Sequence, residues 1–171
     1  KPTENKIPKH IGIIMHGTRR FPKRLMMKPW KGHEWGAKKV EKLFGWCKEL
    51  NIKEVTLYAL SIENFNRPKE EFAFLMELFR KEFEQCETDP RIFENKIRIN
   101  VIGRTWMLPQ DVQESIKSIM EKTRAHDRYL INFAIAYGGR AEVIDATKKI
   151  AEQIKKGTLD MDKINEESFS K

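Results

Sequence analysis

Apolar residues gather in four runs of strand length, at 11–15 (IGIIM), 55–60 (VTLYAL), 97–103 (IRINVIG) and 129–137 (YLINFAIAY). Two of these are too continuously apolar to belong to a sheet with one face in water. Between the runs the period changes. Val40, Leu43, Phe44, Cys47 and Leu50 recur at helical spacing, as do Phe72, Leu75, Met76, Phe79 and Phe83. Val112, Ile116, Ile119 and Met120 mark a third helix after LPQD, and Val143, Thr147, Ile150 and Ile154 a fourth after YGGR. Strand and helix therefore alternate, which predicts βαβ crossovers and an α/β fold, a mainly parallel sheet with helices on both faces. With 171 residues, no internal repeat and no linker rich in Pro, Gly or Ser, residues 1–171 read as a single domain.

Composition narrows the setting. No run approaches the ~18 apolar residues of a membrane span, and the polar start KPTENK lacks the apolar region of a signal peptide. Cys47 and Cys86 show no framework spacing and are expected as reduced thiols in or near the core, which suits the cytoplasm. The chain starts at Lys1 and stops at Lys171 just after a last helical stretch, DMDKINEESFSK, so it is expected to be cut at both ends. A formal net charge of +8 favours a polyanion, whether nucleic acid, an anionic membrane or a phosphorylated small molecule. Nucleic acid is the weakest of these. The basic residues are interleaved with 25 acids, and no finger, helix-turn-helix or RNP pattern is present. His10, His16, His33 and His126 match no standard metal-site spacing.

In a parallel sheet ligands gather beyond the carboxyl ends of the strands, and three such loops are chemically distinctive. The first strand ends in HGTRR. There Gly17 permits close backbone approach, the N–H groups of an expected helix start are donors, and Arg19 and Arg20 add forked cationic donors. Taken alone, the stretch fits a phosphate cradle and a solvated basic loop equally well. After the second strand, LSIENFNRPKEE crowds Ser61, Glu63, Asn64, Asn66 and Arg67 ahead of a helix opened by Pro68. Glu70 and Glu71 read as ordinary acids of a first helical turn, whereas the polar cluster before them exceeds what capping needs. YGGR, residues 137–140, is the least specific of the three. The familiar phosphate motifs G-x-x-x-x-G-K-[ST] and G-x-G-x-x-G do not occur, nor does an acidic DDxxD pair.

HIGIIMHGTRRFPK, GHEWGA, EVTLYALSIENFNRPKEE, IRINVIG and INFAIAYGGRAEVIDA, in that order, resemble the cis-prenyltransferase family, the undecaprenyl and dehydrodolichyl diphosphate synthases. The resemblance implies condensation of isopentenyl diphosphate with an allylic prenyl diphosphate such as farnesyl diphosphate, with Mg²⁺, to give a long-chain polyprenyl diphosphate. It also implies an apolar tunnel between sheet and helices, a homodimer, and a peripheral association with membrane through the lipid product. Gly17, Thr18, Arg19 and Arg20 would hold the allylic diphosphate, with Phe21 at the family's aromatic position and His33 contacting the same group or assisting its departure. Ser61, Ile62, Glu63, Asn64, Phe65 and Arg67 would order isopentenyl diphosphate. Asn64 would stand near the proton that is lost, in a positioning role, because an amide is a weak base. Phe72, Leu75, Met76 and Phe79 would line the tunnel or simply pack.

The chain departs from the family's pattern in two ways that bear on catalysis. The first motif of the family reads M-D-G-N, where this chain has Met15-His16-Gly17-Thr18. His16 thus replaces the metal-binding, catalytic Asp, and imidazole is a poorer Mg²⁺ ligand than carboxylate. The second departure is the family's R-T-G-G-E segment, which does not occur before Lys171. Impaired catalysis is the expectation. A second reading is a non-catalytic diphosphate-binding or partner subunit of the same fold.

Overall fold

The computed structural model describes residues 7–15 and 31–169, the side chains at 31–35, 37–38, 41 and 167–168 excepted. Its strands are β1 (His10–Ile14), β2 (Glu54–Ser61), β3 (Ile97–Ile102) and β4 (Tyr129–Tyr137). Its helices are α1 (Lys31–Glu49), α2 (Lys69–Cys86), α3 (Pro90–Glu94), α4 (Gln110–Lys122), α5 (Gly139–Lys155) and α6 (Glu166–Phe169). The four strands form one parallel sheet in the order β1-β2-β4-β3. Ile11 lies opposite Val55 and Ile13 opposite Leu57, while Ile99 faces Ile131 and Val101 faces Phe133. The expected α/β class and parallel sheet are therefore borne out. The described residues divide into two compact units, one within Lys1–Ala136 and one within Tyr137–Lys171.

Local chemistry sets where the elements stop. Helix α1 ends because Asn51 takes a left-handed conformation, φ 55°, in which its N–H donates to the Lys48 carbonyl and the next N–H, of Ile52, to that of Cys47. Asn tolerates this conformation, and buried Ile52 supplies the apolar contact that usually accompanies such a stop. The short helix α3 has a start of its own: the Asp89 carboxylate accepts the Arg91 N–H at 2.9 Å, with Pro90 at the first helical position. Within Tyr137–Lys171, the stretch expected to be one helix instead breaks. The Asp160 carboxylate accepts the Asp162 N–H, a 3-10 turn covers Met161–Lys163, and Ile164 is extended before α6 begins. The local side-chain hydrogen bond competes with helix continuation.

Two apolar clusters flank the sheet within Lys1–Ala136. In one, Cys47 of α1 and Ile52 pack with Val55 and Leu57 of β2. In the other, Leu75, Met76 and Phe83 of α2 meet Val112, Ile116 and Ile119 of α4 over Ile99, Val101 and Ile135. Phe133 packs against both clusters, and its ring meets that of Phe83 edge-on at 5.5 Å, an arrangement worth about 1 kcal/mol beyond burial. Buried Thr123, one residue past α4, ties that helix to β3. Its Oγ1 accepts the Ile99 N–H at 3.1 Å and donates to the Ile119 carbonyl at 2.8 Å.

A row of polar side chains crosses all four strands. His10 Nε2 lies 2.8 Å from Thr56 Oγ1, and Asn132 Nδ2 donates to the Glu54 carboxylate at 2.8 Å. Asn100 Nδ2 donates in turn to Asn132 Oδ1 at 2.9 Å. Every strand contributes at least one member, and Asn132 is buried. At the carboxyl ends of β3 and β4, Gly103 (φ 115°) and Ala136 (φ 50°) bring the two backbones close together, so that the Arg104 N–H donates to the Ala136 carbonyl.

Candidate functional site

Beyond the carboxyl end of β2 the chain turns through a 3-10 segment, Ile62–Asn66, before Pro68 and α2. Two bonds to Asn64 hold this turn. Its Oδ1 accepts the Ser61 N–H at 3.2 Å, and its carbonyl accepts the Arg67 N–H at 3.1 Å. Asn64 therefore uses its amide oxygen to fix the turn. The rings of Phe65 and Phe72 lie 5.0 Å apart, joining the turn to α2. Ser61, Ile62, Asn64, Phe65 and Arg67 are half-buried and Glu63 is exposed. Burial, with a smaller contribution from the negative charge of Glu63, raises the pKa of the Tyr58 phenol behind the turn.

Arg67 and Glu71 form an ion pair at the start of α2. Arg67 Nη1 donates to Glu71 Oε1 at 2.6 Å, one helical turn along the chain. Glu71 is only 2% exposed. This corrects the reading of Glu71 as an ordinary first-turn acid: the carboxylate is buried, and the cation beside it compensates that burial. Removing one partner of such a pair costs roughly 3–5 kcal/mol. Helical spacing gave no signal for this pair, because Arg67 is extended and lies before the first residue of α2.

The last of the three loops, YGGR, lies within the Tyr137–Lys171 unit. Gly138 precedes α5, and the Tyr137 hydroxyl donates to the Glu142 carboxylate at the start of the same helix. His16, Gly17, Thr18, Arg19, Arg20 and Phe21 lie outside the described residues, as does the side chain of His33, which falls in the first turn of α1. Among the described residues no three His, Cys, Asp or Glu side chains are grouped to hold a metal ion, and none of their helices is long and apolar enough to cross a membrane.

Between the sheet and helices α1 and α2 lies a cavity of about 650 Å³, within the usual range for small-molecule sites. It runs along the strands. At one end is Met15, just past the carboxyl end of β1, and the walls include Phe44, Leu57, Ala59, Phe79 and Phe133. The other end has a polar rim of Lys53, Asp89, Arg91 and Asn95, near the amino ends of the strands. Leu75 and Phe79, two of the four expected lining residues, do line it, whereas Phe72 packs on Phe65 and Met76 is buried in the core. Cys47 and Cys86, neither in a disulfide, also border it. Burial raises the pKa of the Cys47 thiol.

Residues 14–171 match the Prenyltransf family model, that of the undecaprenyl diphosphate synthases. A Methanopyrus kandleri protein named tritrans,polycis-undecaprenyl-diphosphate synthase (geranylgeranyl-diphosphate specific) is 44% identical over 171 residues, covering 100% of this chain and 63% of its own. A Pyrococcus furiosus protein of the same name is 46% identical over 165 residues, 96% of this chain and 62% of its own. The chain thus spans somewhat under two thirds of the length of these relatives. The crystal structure of lavandulyl diphosphate synthase from Lavandula x intermedia, in complex with dimethylallyl diphosphate, superposes with a TM-score of 0.87 at 30% identity. That match covers 96% of this chain and 70% of the other. On sequence and on fold alike, the chain belongs to the undecaprenyl diphosphate synthase family of cis-prenyltransferases.

Proposed function

We propose that this chain binds isopentenyl diphosphate and an allylic prenyl diphosphate and carries the condensation that elongates a cis-polyprenyl diphosphate. The observation that carries the reading is the apolar cavity of about 650 Å³, one end of which, at Met15, lies at the carboxyl end of β1, the same end of the parallel sheet at which the polar turn follows β2, an arrangement suited to a ligand with a charged head and a long apolar tail. The names of the archaeal relatives favour geranylgeranyl diphosphate over farnesyl diphosphate as the allylic partner.

In this reaction the allylic carbon–oxygen bond breaks and diphosphate leaves with the bonding electrons. The terminal alkene carbon of isopentenyl diphosphate bonds to the allylic carbon, and a proton is lost to form the new double bond. Arg67 binds the isopentenyl diphosphate group by charge-assisted hydrogen bonds, and Ser61, Ile62, Glu63 and Phe65 shape its site. Asn64, with its oxygen held by the Ser61 N–H, orients the carbon that loses the proton. Gly17, Thr18, Arg19, Arg20, Phe21 and His33 hold the allylic diphosphate and offset the charge that develops on it. In the family Mg²⁺ would add to that neutralisation. The described residues offer no cluster that fits the ion, and His16 is a weak ligand for it, so no step is assigned to the metal. The same reading carries a cytoplasmic homodimer that meets the membrane only through its lipid product.

Titration calorimetry with a thio-analogue of geranylgeranyl diphosphate, and with geranylgeraniol as control, tests the binding half. Binding that requires the diphosphate is expected, and equal affinity for the alcohol, or no binding, would sink the reading. Incorporation of labelled isopentenyl diphosphate tests the rest. Binding without turnover would favour the second reading, a non-catalytic diphosphate-binding or partner subunit, which His16 at the family's Asp position motivates.

A further inference from the structure

Glu71 is the one charged side chain among the described buried residues, and no step above uses it. We propose that Glu71 is a positioning residue. It holds the Arg67 guanidinium in one place before and during binding, so that a diphosphate meets a fixed set of donors and not a side chain that travels to it. This rests on Arg67 being a ligand of isopentenyl diphosphate.

Both ends of the pair are anchored. The Arg67 N–H is bonded to the Asn64 carbonyl, Pro68 fixes the backbone that follows at φ −50°, and Glu71 sits in the first turn of α2, where the helix end also favours a negative charge. A guanidinium is planar with five N–H donors, so fixing one edge fixes the direction of the others. The pair also resists exchange. If Arg67 swung away to follow a phosphate, the buried Glu71 carboxylate would lose a charge-assisted hydrogen bond of 2.6 Å, a costly change. An arriving diphosphate therefore adds to the pair and does not displace Glu71. Holding a rotamer-rich side chain ready in its bound conformation raises affinity by removing an ordering cost at the moment of binding.

The test is calorimetric binding of isopentenyl diphosphate to the whole chain, with inorganic pyrophosphate and isopentenol alongside. The proteins are the wild type, Glu71→Gln, Glu71→Asp, Arg67→Ala and the Arg67→Ala/Glu71→Gln pair. Glu71→Gln should weaken binding by about tenfold, Glu71→Asp should restore part of it, and Glu71→Gln should add nothing once Arg67 is absent. The Arg67 side-chain N–H signals in NMR supply a readout that does not depend on any variant folding. Rotation of the guanidinium should be slow in the free wild-type chain and stay slow on binding. Wild-type affinity in Glu71→Gln, an equal loss in the Arg67→Ala background, or free rotation in the unliganded wild type would each overturn the inference alone. A wild-type chain that binds neither diphosphate overturns the functional reading and this inference with it.

Discussion

Gly103 and Ala136 meet where β3 and β4 end, and they respond oppositely to the same constraint. A Cβ on Gly103 would lie 2.2 Å from the Ile135 carbonyl oxygen, at a φ of 115° that side chains rarely adopt. Gly103→Ala should therefore cost roughly 2–4 kcal/mol, read as a fall in the urea midpoint. Ala136 already carries a Cβ at φ 50° and is fully buried, so Ala136→Gly should gain about 1 kcal/mol in the same assay. The sequence reveals only half of this. A Gly closing the apolar run IRINVIG marks a strand end, but nothing about an Ala announces a left-handed backbone. Glu71 shows the same limit. Its type suits a helix start, and only the packing of α2 reveals that it is buried.

The elements are joined by a few polar ties whose loss should be measurable one at a time. Thr123→Val keeps the shape of the side chain but leaves the buried Ile99 N–H without its acceptor, and should cost about 1–3 kcal/mol in a denaturant titration. Glu87, just past α2, accepts from Lys122 of α4. That hydrogen bond, followed by one from Ser118, lowers its pKa below the ordinary 4.5. Asp89 is likewise held below its ordinary 3.8, chiefly by its hydrogen bond to the Arg91 side chain. Both folded-state pKa values are depressed, so the stability these groups confer is complete above the ordinary values and is lost as pH falls through the depressed ones. A Glu87→Gln/Asp89→Asn variant should lose stability less steeply than wild type between about pH 5 and about pH 2; parallel acid limbs in urea titrations would refute this. Long helices and apolar strands were readable because each repeats its period several times. Helix α3 was not, since five residues are too few for a period to show, although the Asp89-Pro90 start signal was present.

At the scale of the whole molecule, the alternation of strand and helix implied the parallel sheet, and the polar residues after β2 led to the turn that holds Asn64 and Arg67. The cavity was legible only through the family resemblance. Periodicity says which face of a helix is apolar, but not whether that face closes on its neighbours or leaves room between them, and α1 and α2 leave room. The polar row of His10, Thr56, Glu54, Asn132 and Asn100 has a consequence for how the sheet assembles. Sliding one strand by two residues keeps every apolar side chain on its own face, so alternation by itself does not forbid that error. The same slide would carry Asn132 away from Glu54 and Asn100 and leave a buried amide without its partners. The row thus works as a ruler laid across the strands, rejecting the misalignment that hydrophobicity would accept.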